Sequence, residues 1–252
     1  MRVGLIGAGN MARAMARGWG DPVLASDAGS GRARALAEEL GGEALDSNAA
    51  VAERADLVVL CHKPAQLAAV AKEIAAKAKM IVSVLGGTSV AALEEAYPAR
   101  PVFRAMPNTP VEVKRGVISY ATGSLVTEEL EREVHALFER LGTALRVADG
   151  LIDATSAVSG VGPAYHALLV EAQVDAAIRY GLSGALASRL VAETMAGTAA
   201  LLAERDYDTL AVRREVASPG GSTARGLAAL ERGGIRTAFQ DAFDAVAGWS
   251  RR

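Results

Sequence analysis

The sequence predicts an α/β fold in two parts. A mostly parallel sheet with helices on both faces is expected over residues 1–148, and an all-helical region over residues 149–252. Three observations predict it. Short β-branched apolar runs alternate with amphipathic stretches up to about residue 148, the pattern of strands buried on both faces between crossover helices. A glycine-rich turn directly follows the first of these runs. Beyond Asp149 the strand signal all but disappears, leaving helical spacing broken by short glycine-rich stretches.

Taken in order, RVGLIG reads as the first strand and NMARAMARGW as the helix after it. PVLASD, ADLVVLC and MIVSVLGG follow as strands, each leading into a helical stretch: GRARALAEELG, PAQLAAVAKEIAAKA and SVAALEEAY. A strand pair, PVFRAM and GVISYA, precedes the helix TEELEREVHALFERLG and a short final strand, ALRVA. The helices beyond are separated by GVGP, GLSG, SPGG and RGGI. In PAYHALLVEAQVDAAIRYG, Tyr165, Leu168, Leu169, Ala172 and Ala176 form one apolar stripe, and Ala167, Val170, Val174 and Ala177 fill most of another. Such a helix expects burial on more than one side. A region of about 100 residues has little interior to enclose it, so a second subunit is expected to cover it, as a homodimer.

Lys plus Arg number 27 against 29 Asp plus Glu, a net charge of −2. That balance offers no broad basic field for nucleic acid or an anionic membrane, and points to small molecules or a second copy as partners. The single cysteine, Cys61, excludes an intramolecular disulfide and fits a reducing, cytoplasmic setting. No stretch reads as a secretory leader or a membrane span.

Gly7-Ala8-Gly9-Asn10-Met11-Ala12 is a G-x-G-x-x-A pattern between a strand and a helix. The first glycine permits the tight turn, the second lets backbone N–H groups approach a pyrophosphate, and the small third residue lets helix and strand pack closely. The expectation is a Rossmann-like dinucleotide site. Asp27 closes the second strand 27 − 7 = 20 residues after Gly7, where an acid can accept from the ribose 2′-hydroxyl of NAD. Ser26, Ser30, Arg32 and Arg34 lie in the same turn and suit a 2′-phosphate instead, or form a solvated helix face. Cys61, His62, Lys63 and Pro64 end another strand on the carboxyl edge of the sheet, where open α/β folds bind ligands. His62 reads as an acid or as a structural hydrogen-bonding residue. Asn108 and Thr109 in MPNTP either border the nicotinamide or only shape a turn. His135 and His166 have no metal-ligand spacing with Cys61 or a carboxylate, so no metal is expected. Glu171 and Asp175 share a helix face and receive no catalytic role. SPGGSTARGL, from Ser218, reads by itself as a loop and a helix start.

GAGNMA, HKPAQ, FRAMPNTPVEVKRGVISYA, SGVGPAYHALLVEA and SPGGSTARGLAALERGGIRTAFQDAF occur in one order from residue 1 to about 245. In these motifs the chain resembles the pyrroline-5-carboxylate reductases, which reduce a cyclic imino acid in the last step of proline biosynthesis. The resemblance implies NADPH or NADH as cofactor, and a C-terminal helical domain that interlocks two subunits, with dimers assembled into decamers. It assigns cofactor contacts to Ile6, Gly7, Ala8, Gly9, Asn10, Met11, Ser26, Asn48, Cys61, His62, Lys63, Pro64, Leu85, Gly86 and Gly87. The substrate falls to Gly220, Gly221, Ser222 and Thr223. Backbone N–H groups of Gly221, Ser222 and Thr223 would hold its carboxylate, and the Thr223 hydroxyl would meet the ring nitrogen, unless Thr223 or Ser222 serves only as a helix cap. Two positions depart from the family pattern. Val161 replaces a frequent serine, and Glu215 stands where an amide is common. A related reductase of six-membered piperideine carboxylates and a non-catalytic NAD(P)-binding protein remain alternatives. A β-hydroxyacid dehydrogenase would need a lysine on the long helix, and residues 163–181 contain none.

Overall fold

The computed structural model describes residues 1–249 and divides into two compact units, Met1–Pro163 and the chain from Ala164 onward. The first unit is built on an eight-stranded sheet: β1 (Val3–Ile6), β2 (Leu24–Ser26), β3 (Glu43–Ala44), β4 (Leu57–Leu60), β5 (Ile81–Ser83), β6 (Val102–Pro107), β7 (Gly116–Thr122) and β8 (Gly142–Arg146). Spatial order is β3-β2-β1-β4-β5-β6-β7-β8, and every pair is parallel except β6 with β7. The direction of the order reverses beside β1, a switch point at which open α/β sheets open a crevice for ligands.

Alternation along the strands divides the core into two layers. Leu5, Val59, Val82 and Phe103 join one cluster with α1 (Asn10–Trp19), α2 (Arg32–Leu40) and, later in the chain, the helix Glu128–Glu139. Ile6, Val58, Leu60 and Ile81 join the other, against α3 (Asn48–Arg54), α4 (Leu67–Ile74) and α5 (Val90–Ala96). Both faces are therefore covered, which is why the strand runs are continuously apolar rather than alternating with polar residues. The Glu128–Glu139 helix, α6, starts at Thr127, whose hydroxyl accepts from Leu130 N. Trp19 is buried and donates its indole N–H to the Leu137 carbonyl of α6 at 3.0 Å. β3 and α3 had no counterpart in the sequence reading: β3 has only two residues, both exposed, too short for any periodicity.

The helical region was drawn from residue 149, but the first compact unit continues to Pro163. It takes in α7 (Ile152–Thr155) and a π-turn over Ser156–Gly160. Side chains of the sheet hold this segment. Arg104 on β6, 3% exposed, donates from Nη1 to Asp149 Oδ1 at 3.0 Å and from Nη2 to Asp153 Oδ1 at 2.5 Å. Ile152 is fully buried beside them. Strand periodicity ends near residue 148, whereas packing against the sheet does not.

The remaining helices are α8 (Gly162–Arg179), α9 (Gly184–Glu204), α10 (Thr209–Val216), α11 (Ser222–Arg232) and α12 (Ile235–Trp249). Within the single chain α8 is not buried on either stripe: Leu168 is 64% exposed, and Gly162 is the only buried residue of the helix. Leu190, Leu210, Leu230, Phe239 and Phe243 are exposed as well. Only Ala187 and Val212 are buried among the described hydrophobic residues of this unit. An apolar surface of this extent marks an association surface. Among the described residues no helix is long and apolar enough to cross a membrane, and no cluster of His, Cys, Asp or Glu suits a metal.

Candidate active site

The strand register aligns the carboxyl ends of the parallel sheet. Ile6 pairs with Ser26 and Leu60, and Leu60 with Ser83, so the turns after β1, β2, β4 and β5 emerge side by side. Gly7 turns the chain out of β1 at φ +94°, and its N–H donates to the Ser26 carbonyl at 2.9 Å. A Cβ on Gly7 would meet the backbone of Cys61 and His62 at 2.8–2.9 Å, so strand proximity and dihedral both demand glycine. Gly9 is the N-cap of α1, makes no side-chain cap, and has open space where a Cβ would stand. The first N–H groups of α1, from Asn10 and Met11, have no intrahelical acceptor, and Ala12 is fully buried where helix and strand pack. An anion fits here, on donors and on the positive end of the helix.

Beside this loop lies a cavity of about 440 Å³ lined by Ile6, Gly7, Asp27, Ala28, Asn48, Cys61, His62, Lys63, Gln66 and Val70. Seven of the residues named from the sequence for the cofactor thus line one cavity. Gln66, which the sequence reading did not single out, accepts from Lys63 N at 3.1 Å through its side chain and fixes the turn that starts at Pro64. Leu85, Gly86 and Gly87 follow β5 on the same edge, Leu85 buried and Gly87 at φ +69°.

The chemistry of the polar groups is specific. Ser26 is 2% exposed and donates its hydroxyl to Asn48 Oδ1 at 2.7 Å, while Asn48 Nδ2 donates to Glu73 Oε2 at 2.8 Å. Asp27 accepts four hydrogen bonds from its own turn. Gly29 N and Ser30 N meet Oδ1 at 2.9 and 3.1 Å; Ser30 Oγ and Ala33 N meet Oδ2 at 2.7 and 2.9 Å. Partial burial resists its ionisation, but these donors outweigh it and hold the carboxyl below the usual range. Burial pushes the Cys61 thiol up to about 12, so it stays protonated and is no nucleophile. His62 Nδ1 lies 2.9 Å from the Lys63 carbonyl, which can only accept, so Nδ1 carries the proton. Its Nε2 is buried without a partner, and burial lowers the pKa. The ring is therefore neutral near pH 7, which disfavours a role as general acid.

Asn108 has a structural task. It is 6% exposed, donates from Nδ2 to the Ser159 carbonyl at 3.0 Å and accepts from Val117 N at 2.8 Å, whereas Thr109 is exposed. Of the two readings of MPNTP, the turn-shaping one accounts for this side chain.

In the helical unit, the SPGG stretch leads into α11. Gly220 stands at φ +69°, and the Gly221 N–H donates to Ser218 O at 3.1 Å. Gly221 is the N-cap and there is no side-chain cap, so neither Ser222 nor Thr223 acts as the cap. The unpaired N–H donors of the first turn are those after Gly221, beginning with Ser222 and Thr223, and Thr223 is half-buried. Glu215 accepts from Arg205 Nε at 2.8 Å. Val161, half-buried, closes the π-turn through its N–H to Ser156 O.

Two family models match the chain: pyrroline-5-carboxylate reductase dimerisation over residues 149–252, and NADP oxidoreductase, coenzyme F420-dependent, over residues 2–87. A pyrroline-5-carboxylate reductase of Mycobacterium tuberculosis is 40% identical over 79% of this chain and 77% of its own. One of Pseudomonas aeruginosa is 35% identical over 97% and 94%. The crystal structure of Plasmodium falciparum pyrroline carboxylate reductase with NADP bound superposes with a TM-score of 0.88 at 27% identity, covering 99% of this chain and 97% of that one. With a glycine loop built for an anion at the sheet edge, and this likeness along almost its whole length, the chain belongs to the pyrroline-5-carboxylate reductase family.

Proposed function

We propose that this chain reduces 1-pyrroline-5-carboxylate to L-proline with NAD(P)H. The observation that carries the reading is the identity of 35–40% with curated pyrroline-5-carboxylate reductases over most of the chain. The glycine loop and the cavity beside it support the cofactor half of the reaction. In this reading residues 1–148 bind the cofactor, and residues 149–252 dimerise and hold the substrate.

When bound, the nicotinamide supplies a hydride to the imine carbon. The backbone donors at the start of α11, from Ser222 and Thr223, would hold the substrate carboxylate, with Gly220 and Gly221 letting the chain come close. The Gly221 N–H, directed at Ser218, would take no part in that contact. The Thr223 hydroxyl would meet the ring nitrogen and hold the proton there as the imine becomes an amine. Neither Cys61 nor His62 supplies an acid near pH 7, so rate enhancement rests on orientation more than on a tuned side chain. Asn10, Met11, Asn48, Lys63 and the Leu85–Gly87 turn would contact the cofactor, and no metal takes part.

The partner is a second copy of the chain, forming a homodimer through the helical region, as the dimerisation model and the exposed α8 support. Assembly of dimers into decamers and a cytoplasmic location belong to the same reading; the single buried thiol of Cys61 supports a reducing compartment. The deciding experiment follows cofactor oxidation with 1-pyrroline-5-carboxylate and, in parallel, with the six-membered piperideine carboxylate. Faster turnover of the five-membered imine is expected. Preference for the six-membered ring, or cofactor binding without oxidation, would replace the proposal by one of its alternatives.

A further inference from the structure

The acid at the end of β2 is the usual mark of NAD, because a carboxylate there accepts from the ribose 2′-hydroxyl and repels a 2′-phosphate. In this chain its lone pairs are already engaged. Both oxygens of Asp27 are bound by donors of its own turn, two to each, all within 3.1 Å. A carboxylate has about four lone-pair sites, so none is left for a ribose hydroxyl. Ser26 is committed as well, its hydroxyl to Asn48 and its carbonyl to Gly7. What the turn leaves available is cationic. Arg32 and Arg34, in the first turn of α2, are exposed and make no ion pair among the described residues. Asp27 is the one acid among the residues lining the cavity.

We propose that the cofactor is NADPH: Arg32 and Arg34 read its 2′-phosphate, and Asp27 is the internal brace of their turn rather than a ligand of the ribose. This rests on the dinucleotide reading of the cavity but not on the identity of the imino acid. A guanidinium matches a phosphate in charge and in bidentate geometry. Asp27 gathers the N–H groups of Gly29, Ser30 and Ala33 inward, and so fixes the backbone from which both arginines project.

The test is fluorescence titration of the purified enzyme with NADPH and with NADH, without imino acid, alongside Arg32→Ala/Arg34→Ala and Asp27→Asn variants whose folding is checked by thermal melting. The wild type should bind NADPH about tenfold or more tightly than NADH, and the double arginine variant should lose about tenfold for NADPH while changing less than about twofold for NADH. Asp27→Asn should weaken both nucleotides together and leave their ratio within about threefold. Tighter binding of NADH by the wild type, an unchanged NADPH affinity in the arginine variant, or a tenfold swing toward NADPH in Asp27→Asn would each overturn the assignment. Binding of neither nucleotide would overturn the dinucleotide reading beneath it.

Discussion

Single residues show where type and place combine into a role. Thr223 is the clearest: it stands in the first turn of a helix whose N-cap is a glycine, so its hydroxyl is not required for capping. Replacing it by valine keeps the shape and removes the donor, and should lower kcat/KM by about 1.5–4 kcal/mol, the range from a charged hydrogen bond to a catalytic donor. Steady-state kinetics with an unaltered melting curve would separate this from misfolding. His62 gives a pH signature. Its folded pKa lies below the unfolded one, so the folded state takes up its proton later as pH falls. Stability is therefore whole above the unfolded pKa, near 6.5, and is lost as pH drops through the folded pKa. Melting at about pH 5.5 and about pH 7.5 should differ less in His62→Asn than in the wild type. Gly7 and Asp27 were legible in the sequence as members of a nucleotide loop. That Asp27 is saturated by its own turn was not, because hydrogen-bond partners depend on the path of five following residues.

Among elements, the segment between sheet and helical unit depends on one buried cation. Arg104 reaches Asp149 and Asp153 from the middle of β6, and Asp149 Oδ2 also accepts from Val90 N at the start of α5. Arg104→Met would leave two acids without their partner, although both, at 33% and 43% side-chain exposure, can recover water. The cost should be about 2–3 kcal/mol, below the full value for breaking a wholly buried pair. For a unit of this size that is a fall of several degrees in Tm, readable by calorimetry. No pattern in PVFRAM marked this arginine, since an arginine in a strand run reads as an interruption or an edge. Its buried partners lie 45 and 49 residues away. The strands themselves were legible, because two covered faces require continuous apolar runs. β3 and α3 were not, for the opposite reason: a two-residue exposed strand carries no period.

For the whole molecule, the contrast between the two units is the main fact. The first has two packed layers with its large side chains inside; the second exposes leucines and phenylalanines along several helices. Chains of this family carry a dimerisation region here, and burying these faces in a homodimer accounts for their composition. The wild type should sediment at twice the chain mass or a multiple of it. Leu168→Glu with Leu190→Glu should shift that to monomer and lower Tm, because two charges would be forced into the covered face. The sequence by itself determined the alternating α/β order, the glycine loop, the helical second part and the need for a covering partner, since all of these are written in local spacing and in apolar content. Only the tertiary structure decided which polar groups are engaged. It showed that Asp27 braces its own turn, that Asn108 and Arg104 tie down the segment up to Pro163, and that Cys61 and His62 stay neutral. The physical reason is that periodicity reports which side of an element faces apolar surroundings, whereas the state of a carboxylate, an imidazole or a thiol depends on burial and on donors that are brought together only when the chain has folded.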